Sequence, residues 1–229
     1  ELVPLKGINR TLTRHGLVLL EKGERIGVRA LKQVAGVKEV SCGVVGFQMA
    51  PRLNAAGRME DAGLGVELLL EKDMVRGLHT ARYLDQCDLE QSVIEKGTLQ
   101  EAARAVAKLG AAHTHSIVLG GEGWHSGVIG IVASRLVDRY SRPTVLIALE
   151  DTTGKGSCRS IRGFNLYHGL QSCADYLLAF GGHEMAAGLS VAADQLPAFA
   201  AEFEAHARSV LSEDDLQPKL YHEGAVLLE

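Results

Sequence analysis

The run Gly181-Gly182-His183-Glu184-Met185-Ala186-Ala187-Gly188 joins two adjacent glycines to a titratable ring and small side chains. Glycines admit positive φ and let a ligand approach the amide groups. Successive N–H groups in such a turn form a nest for an anion, and His183 would stand beside whatever the nest holds. A tight turn ahead of a packed strand is the plainer reading. A second run, Lys155-Gly156-Ser157-Cys158-Arg159-Ser160-Ile161-Arg162, reads as a Gly-Lys-Gly turn and a strand over 157–162. Alternate side chains of a strand share a face. Ser157, Arg159 and Ile161 then point together, and Lys155 joins them if the strand reaches that far. A hydroxyl beside a guanidinium fork is a grip for phosphate; an edge strand with solvated charges is the alternative.

Two further stretches could serve the same chemistry. Gly120-Gly121-Glu122-Gly123-Trp124-His125-Ser126-Gly127 reads as a strand-to-helix loop that can aim amides at an anion. It follows neither common nucleotide-loop pattern. Trp124, the single tryptophan, could stack on a base or fill a core. His125 could touch a ligand or brace the loop. In Pro51-Arg52-Leu53-Asn54-Ala55-Ala56-Gly57-Arg58-Met59, Arg52 and Arg58 offer planar forks for phosphate around Asn54 and small residues. Pairing with Glu60 and Asp61 would instead make both arginines structural.

A catalytic engine is not evident. Phosphodiester hydrolysis at neutral pH usually needs metals held by carboxylates and histidines, and neither an Asp-His dipeptide nor an Asp-x-Asp cluster in a loop is present. No G-x-S-x-G signature appears. His113-Thr114-His115 has metal-like spacing without carboxylates around it and reads as a linker. The four cysteines, Cys42, Cys87, Cys158 and Cys173, form no C-x-x-C pair. Reduced cytosolic thiols fit them better than zinc ligands, and the expected location is cytoplasmic. A net charge of −4 argues against coating nucleic acid by bulk charge, though not against a local cationic groove. No apolar run is long enough to span a membrane.

Several elements must hold these groups. The 229 residues, 46% of them apolar, suffice for one large or two small domains. Apolar spacing predicts helices over 8–21, 26–35 and 63–71, with a helical turn ending at Pro51. A charged helix runs from 74 to 109, continuous or broken at Gly97. From residue 115 the pattern becomes α/β. Strands are expected at 117–119 and 144–149 around a helix capped by Ser126, as a βαβ unit. A helix over 166–176, a strand at 189–191 and a helix over 195–211 complete it.

Pro51 to Arg58, Glu122 to Leu136, Gly156 to Ile161 and Phe180 to Gly188, in that order and approximate spacing, resemble the RecJ-type single-stranded-DNA-specific exonucleases of the DHH phosphoesterase superfamily. The resemblance covers almost the whole chain. It implies 5′-to-3′ hydrolysis of single-stranded DNA in recombination and repair, with manganese or magnesium held by an N-terminal DHH domain whose motifs do not occur here. It implies single-stranded DNA with a 5′ end as partner, with other repair proteins possible and no membrane. It divides the chain into the end of a DHH domain (1–73), a linking helix (74–110), a DHHA1 α/β domain (111–212) and the approach to an OB-type domain (213–229). The fold class is thus α/β after a helical N-terminal segment, and the chain reads as part of a longer one. By the same resemblance Arg52, Asn54 and Arg58 lie near the DNA path. Ser157, Arg159 and Ser160 hold the 5′-phosphate. Gly181, Gly182 and His183 close over the terminal nucleotide. Trp124 and His125 are counted with the substrate-binding set. No catalytic residue and no metal ligand is expected within this chain. Ser126 stands where such proteins commonly have Pro, and Cys158 where a small residue is usual, placing a thiol beside the phosphate grip. Two other readings are a phosphodiesterase for short oligonucleotides or cyclic dinucleotides, and a non-catalytic RNA-binding module.

Overall fold

The structure, a computed structural model, describes residues 3–110 and 114–219. His113 and, from Leu220 on, the expected approach to an OB-type domain lie outside the described residues. Chain contacts divide the protein into two compact units, with the division between Val93 and Ile94.

The first unit is helical. Helices α1 (Gly7–Lys22) and α2 (Ile26–Val34) are separated by Gly23 in the left-handed region, whose N–H reaches back to Leu19. Helix α2 buries Val28, Ala30 and Leu31. Its Gly27 lies against the Leu68 carbonyl of α5 (Gly63–Leu70), where any Cβ would overlap that backbone. Ser41 caps the next stretch by accepting from the Val44 N–H at 3.2 Å. Helix then runs on through α3 (Cys42–Val44), a π-turn (Val45–Met49) and α4 (Ala50–Met59). The helical turn expected to end at Pro51 therefore does not end there. A proline ring crowds the carbonyl four residues back and brings no N–H. The wider π-turn just before it, closed by Ala50 N–H to Val45 O, removes that conflict.

Helix α6 (Met74–Leu109) is unbroken through Gly97, where a Cβ would meet open space. It starts in the first unit and ends in the second.

The second unit is a five-stranded mixed sheet, ordered β1-β2-β3-β5-β4. Strand β1 (Ile117–Glu122), helix α7 (Ser126–Tyr140) and β2 (Thr144–Glu150) form the expected βαβ unit, with β1 and β2 parallel. The remaining strands, β3 (Thr153–Arg159), β4 (Leu177–Gly182) and β5 (Ala186–Ala192), pair antiparallel. Helices α8 (Leu166–Ser172) and α9 (Leu196–Val210) pack with one sheet face. That core joins Val145, Ile147, Cys158, Leu189 and Val191 to Phe164, Leu166, Phe199 and Phe203.

Several glycines expected in loops lie in strands. Gly154 and Gly156 belong to β3, so the strand ends at Arg159 rather than Arg162. A Cβ on Gly154 would come within 2.5 Å of Ile147, and one on Gly156 within 2.7 Å of Leu189. Gly120 and Gly121 extend β1, and the Trp124 indole occupies the place of a side chain on Gly121. Gly181 and Gly182 end β4, a strand absent from the sequence expectation; only His183 to Met185 form the connection. For Gly120, Gly121, Gly154 and Gly156 the cause is steric: large side chains from elsewhere lie over these positions.

Candidate nucleic-acid interface

On β3, Cys158 points into the apolar core, so Lys155, Ser157 and Arg159 take the opposite face, beneath α7. Gly130 of α7 lies directly above. A Cβ there would come within 2.9 Å of both Ser157 Oγ and an Arg159 guanidinium nitrogen. The guanidinium is fixed from below: Arg159 Nη1 donates to Ser157 Oγ at 3.1 Å and to the Cys158 carbonyl at 2.8 Å.

Beyond Ser157 the sheet surface is bare. Ser157 pairs with Gly188 of β5, and Gly188 pairs with Gly181 of β4. A Cβ on Gly181 would meet nothing within 4 Å. The neighbouring row runs Lys155, Ser190, Ala179. Ser157 and Gly188 with Lys155, Ser190 and Ala179 floor a cavity of about 460 Å³ whose wall includes Ser126 and Ile129 of α7 and Phe180. Ser157, Ser190 and Lys155 thus line this shelf, and the Arg159 guanidinium stands next to Ser157. The Cys158 thiol lies on the other side of the sheet instead of beside this grip. Burial pushes it up to about 12, so it stays protonated and inert at neutral pH.

The hairpin after β4 closes the shelf's end. His183 N–H donates to the Ala186 carbonyl at 2.8 Å, and Ala186 is the partner of Arg159. The Met185 carbonyl accepts from Ser160 N–H, and the Glu184 carbonyl from Leu166 N–H, at 3.1 and 3.0 Å. Gly182, at φ 147, leaves no room for a Cβ against Ala187. The His183 ring is exposed. The tip is therefore held by its backbone, leaving the imidazole open.

Three expected contacts turn elsewhere. Ser160 is buried, and its hydroxyl donates to the Phe164 carbonyl at 2.7 Å; it braces the loop after β3. Trp124 is 8% exposed, and its Nε1–H donates to Glu101 of α6 at 2.9 Å. With Gly121 against the ring, its faces are not open to a base, and the indole ties α6 to β1. A Trp124→Phe substitution is expected to destabilise the fold by about 1.5–3 kcal/mol, the order of a hydrogen bond to a charged acceptor, and to leave DNA affinity unchanged. Thermal unfolding beside a DNA titration checks this; lost affinity at unchanged melting temperature would restore a stacking role. His125, not Ser126, is the cap of α7: its Nδ1 accepts from the Gly127 N–H at 3.1 Å. His115, in the expected linker, is buried beside α9, and Glu204 accepts the N–H groups of His115 and Ser116.

The first unit holds the other candidates. Arg52 and Asn54 leave α4 on different sides. Arg52 Nε donates to Asp85 of α6 at 2.7 Å, and its Nη1 to the Gln48 carbonyl at 2.5 Å. This guanidinium joins α4 to α6 and covers a carbonyl of the π-turn. The acidic residues expected to pair with the arginines are otherwise engaged. Glu60 accepts from the Tyr83 hydroxyl at 2.5 Å, which pushes the phenol up to about 12, and Asp61 accepts from the Gly63 N–H. Asn54 and Arg58, one helical turn apart, line a groove between α4 and α5 with Gly57 and Gly65. Arg58 is exposed and makes no ion pair among the described residues.

Residues 98–209 match the DHHA1 domain family. Over 95% of its length the chain is 40% identical to the single-stranded-DNA-specific exonuclease RecJ of Bacillus subtilis. It is 37% identical to that of Escherichia coli over 89% of its length. The crystal structure of RecJ in complex with Mg2+ from Thermus thermophilus superposes with a TM-score of 0.81 at 32% identity, covering 90% of this chain and 32% of that one. An exonuclease RecJ bound to manganese gives 0.79 at 33% identity, covering 90% of this chain and 51% of that one.

Over nearly its whole length this chain is similar to part of RecJ. It spans 28% of the Bacillus subtilis RecJ and 37% of the Escherichia coli RecJ. The α/β unit carries the DHHA1 match, and the helical segment before it also has its counterpart in RecJ. Divalent metals accompany the RecJ structures. Among the described residues of this chain, no three His, Cys, Asp or Glu side chains converge. The described residues do not make such a site. Among them, too, no helix is long and apolar enough to cross a membrane.

Lys155 and Ser190 complete the shelf. The alternation of β3 marks Lys155 once the strand is extended back to Thr153. Ser190 carries no local signal, because only the pairing of β5 with β3 places it there.

Proposed function

We propose that this chain is the strand-holding part of a metal-dependent, 5′-to-3′ single-stranded-DNA exonuclease of DNA recombination and repair, working in the cytoplasm. The observation that carries this reading is the Arg159–Ser157 pair beside the bare Gly188–Gly181 row. A guanidinium and a hydroxyl take a terminal phosphate, while the glycine floor accepts the attached nucleotide without steric conflict. His183 covers that nucleotide from the hairpin tip; on the first unit, Asn54 and Arg58 offer a separate contact for single-stranded DNA. Manganese or magnesium would be supplied through residues beyond this chain. The chain by itself binds a strand and does not cut it.

The experiment is an incubation of the purified chain with end-labelled single-stranded DNA, with and without Mn2+ or Mg2+. The expected outcome is a retarded complex and no released nucleotide. Robust metal-dependent release would overturn the reading, as would a preference for tRNA over 5′-phosphorylated DNA.

A further inference from the structure

The shelf carries a second hydroxyl–cation pair that the phosphate grip does not use. Lys155 stands two residues before Ser157 on the same strand face, and Ser190 is its direct partner on β5. Lys155 is exposed and makes no ion pair among the described residues, and the Ser190 hydroxyl has no hydrogen-bond partner among them. Both line the same cavity as Ser157. The arrangement repeats the first station: a hydroxyl and a cation, set on small neighbours, with Ala179 completing the row as Gly181 completes the other.

The two rows are about 7 Å apart, two residues along a strand. That separation is comparable to the step between successive phosphates in an extended nucleic-acid strand, and too long for two oxygens of one phosphate. Resting on the reading of the shelf as a strand-end site, we infer that Lys155 and Ser190 hold the phosphate next to the one held by Ser157 and Arg159. The shelf then grips two consecutive phosphates, with the first sugar over Gly188. A cation two residues from the first grip makes the site a reader of a strand end and not of a free phosphate.

The test uses 5′-phosphorylated octathymidine on the intact chain, in two forms. One has an ordinary first internucleotide linkage; the other has a neutral methylphosphonate there. Lys155→Ala is expected to weaken binding of the ordinary strand about tenfold and to flatten the slope of log affinity against log salt by about 0.7. It should cause no further loss on the methylphosphonate strand, because contacts to the same group do not add. Ser190→Ala should repeat the pattern with a smaller loss. Arg159→Ala should weaken both strands. No loss with Lys155→Ala on the ordinary strand, or an equal loss on both, overturns the second station. Failure of the unsubstituted chain to bind either strand overturns the strand-end reading itself and the second station with it. Lys155 is exposed, so an unchanged circular dichroism spectrum is expected and separates these outcomes from misfolding.

Discussion

Arg159→Ala is expected to weaken binding of 5′-phosphorylated single-stranded DNA by about 10- to 100-fold and to leave binding of the same strand with a 5′-hydroxyl almost unchanged. Hydrogen bonds to charged groups contribute about 1.5–3 kcal/mol, and 1.4 kcal/mol is a factor of ten. The guanidinium is already oriented by Ser157 Oγ and the Cys158 carbonyl, so little side-chain order remains to be lost on binding. Alanine also removes the group that lies below Gly130 without disturbing the core on the other face, so the fold should persist. Fluorescence anisotropy with the two strands measures the difference. Equal weakening of both would mean a general backbone contact, and the assignment to the terminal phosphate would fall.

Phe203→Ala is expected to be the most damaging single change to the second unit. Phe203 is fully buried. Its ring meets Phe164 edge-on at 5.6 Å between centroids and Phe199 at 5.8 Å. Truncating a buried phenylalanine costs about 3–5 kcal/mol, which lowers the melting temperature by roughly 6–20 °C for a unit of this size. Thermal unfolding by circular dichroism reads this directly. The consequence reaches the shelf by a short route: Phe164 O holds the Ser160 hydroxyl, and Ser160 N–H holds Met185 of the hairpin tip. Loss of DNA binding in this variant should follow the unfolding curve, whereas Arg159→Ala loses binding while folded. A melting temperature within 2 °C of the unsubstituted chain's would show that Phe203 is not a principal prop of this core.

Much of the second unit was legible because βαβ patterning is strong. Continuous apolar runs at 117–119 and 144–149 around a periodic helix leave few alternatives. The shared face of Ser157 and Arg159 was legible too, since strand alternation alone puts them together. The glycines were the hardest to read. Local sequence makes Gly154, Gly156, Gly120 and Gly121 punctuation between elements. In the fold they are strand positions whose missing side chains leave room for Ile147, Leu189, Leu196 and Trp124. Pro51 misled for a similar reason, since a π-turn set up one residue earlier lets the helix continue.

The sequence by itself determined the chemistry at hand: guanidinium, hydroxyl and imidazole groups beside small residues, with no metal-binding pattern, on an α/β frame. Tertiary structure alone decided which of those groups face one another. It turned Arg52 to Asp85 and Trp124 to Glu101, and it brought Ser190 to Lys155. The physical reason is range. Alternation and helical period fix a side chain's direction from its near neighbours, whereas a hydrogen-bond partner or a covering ring is supplied by residues tens of positions away.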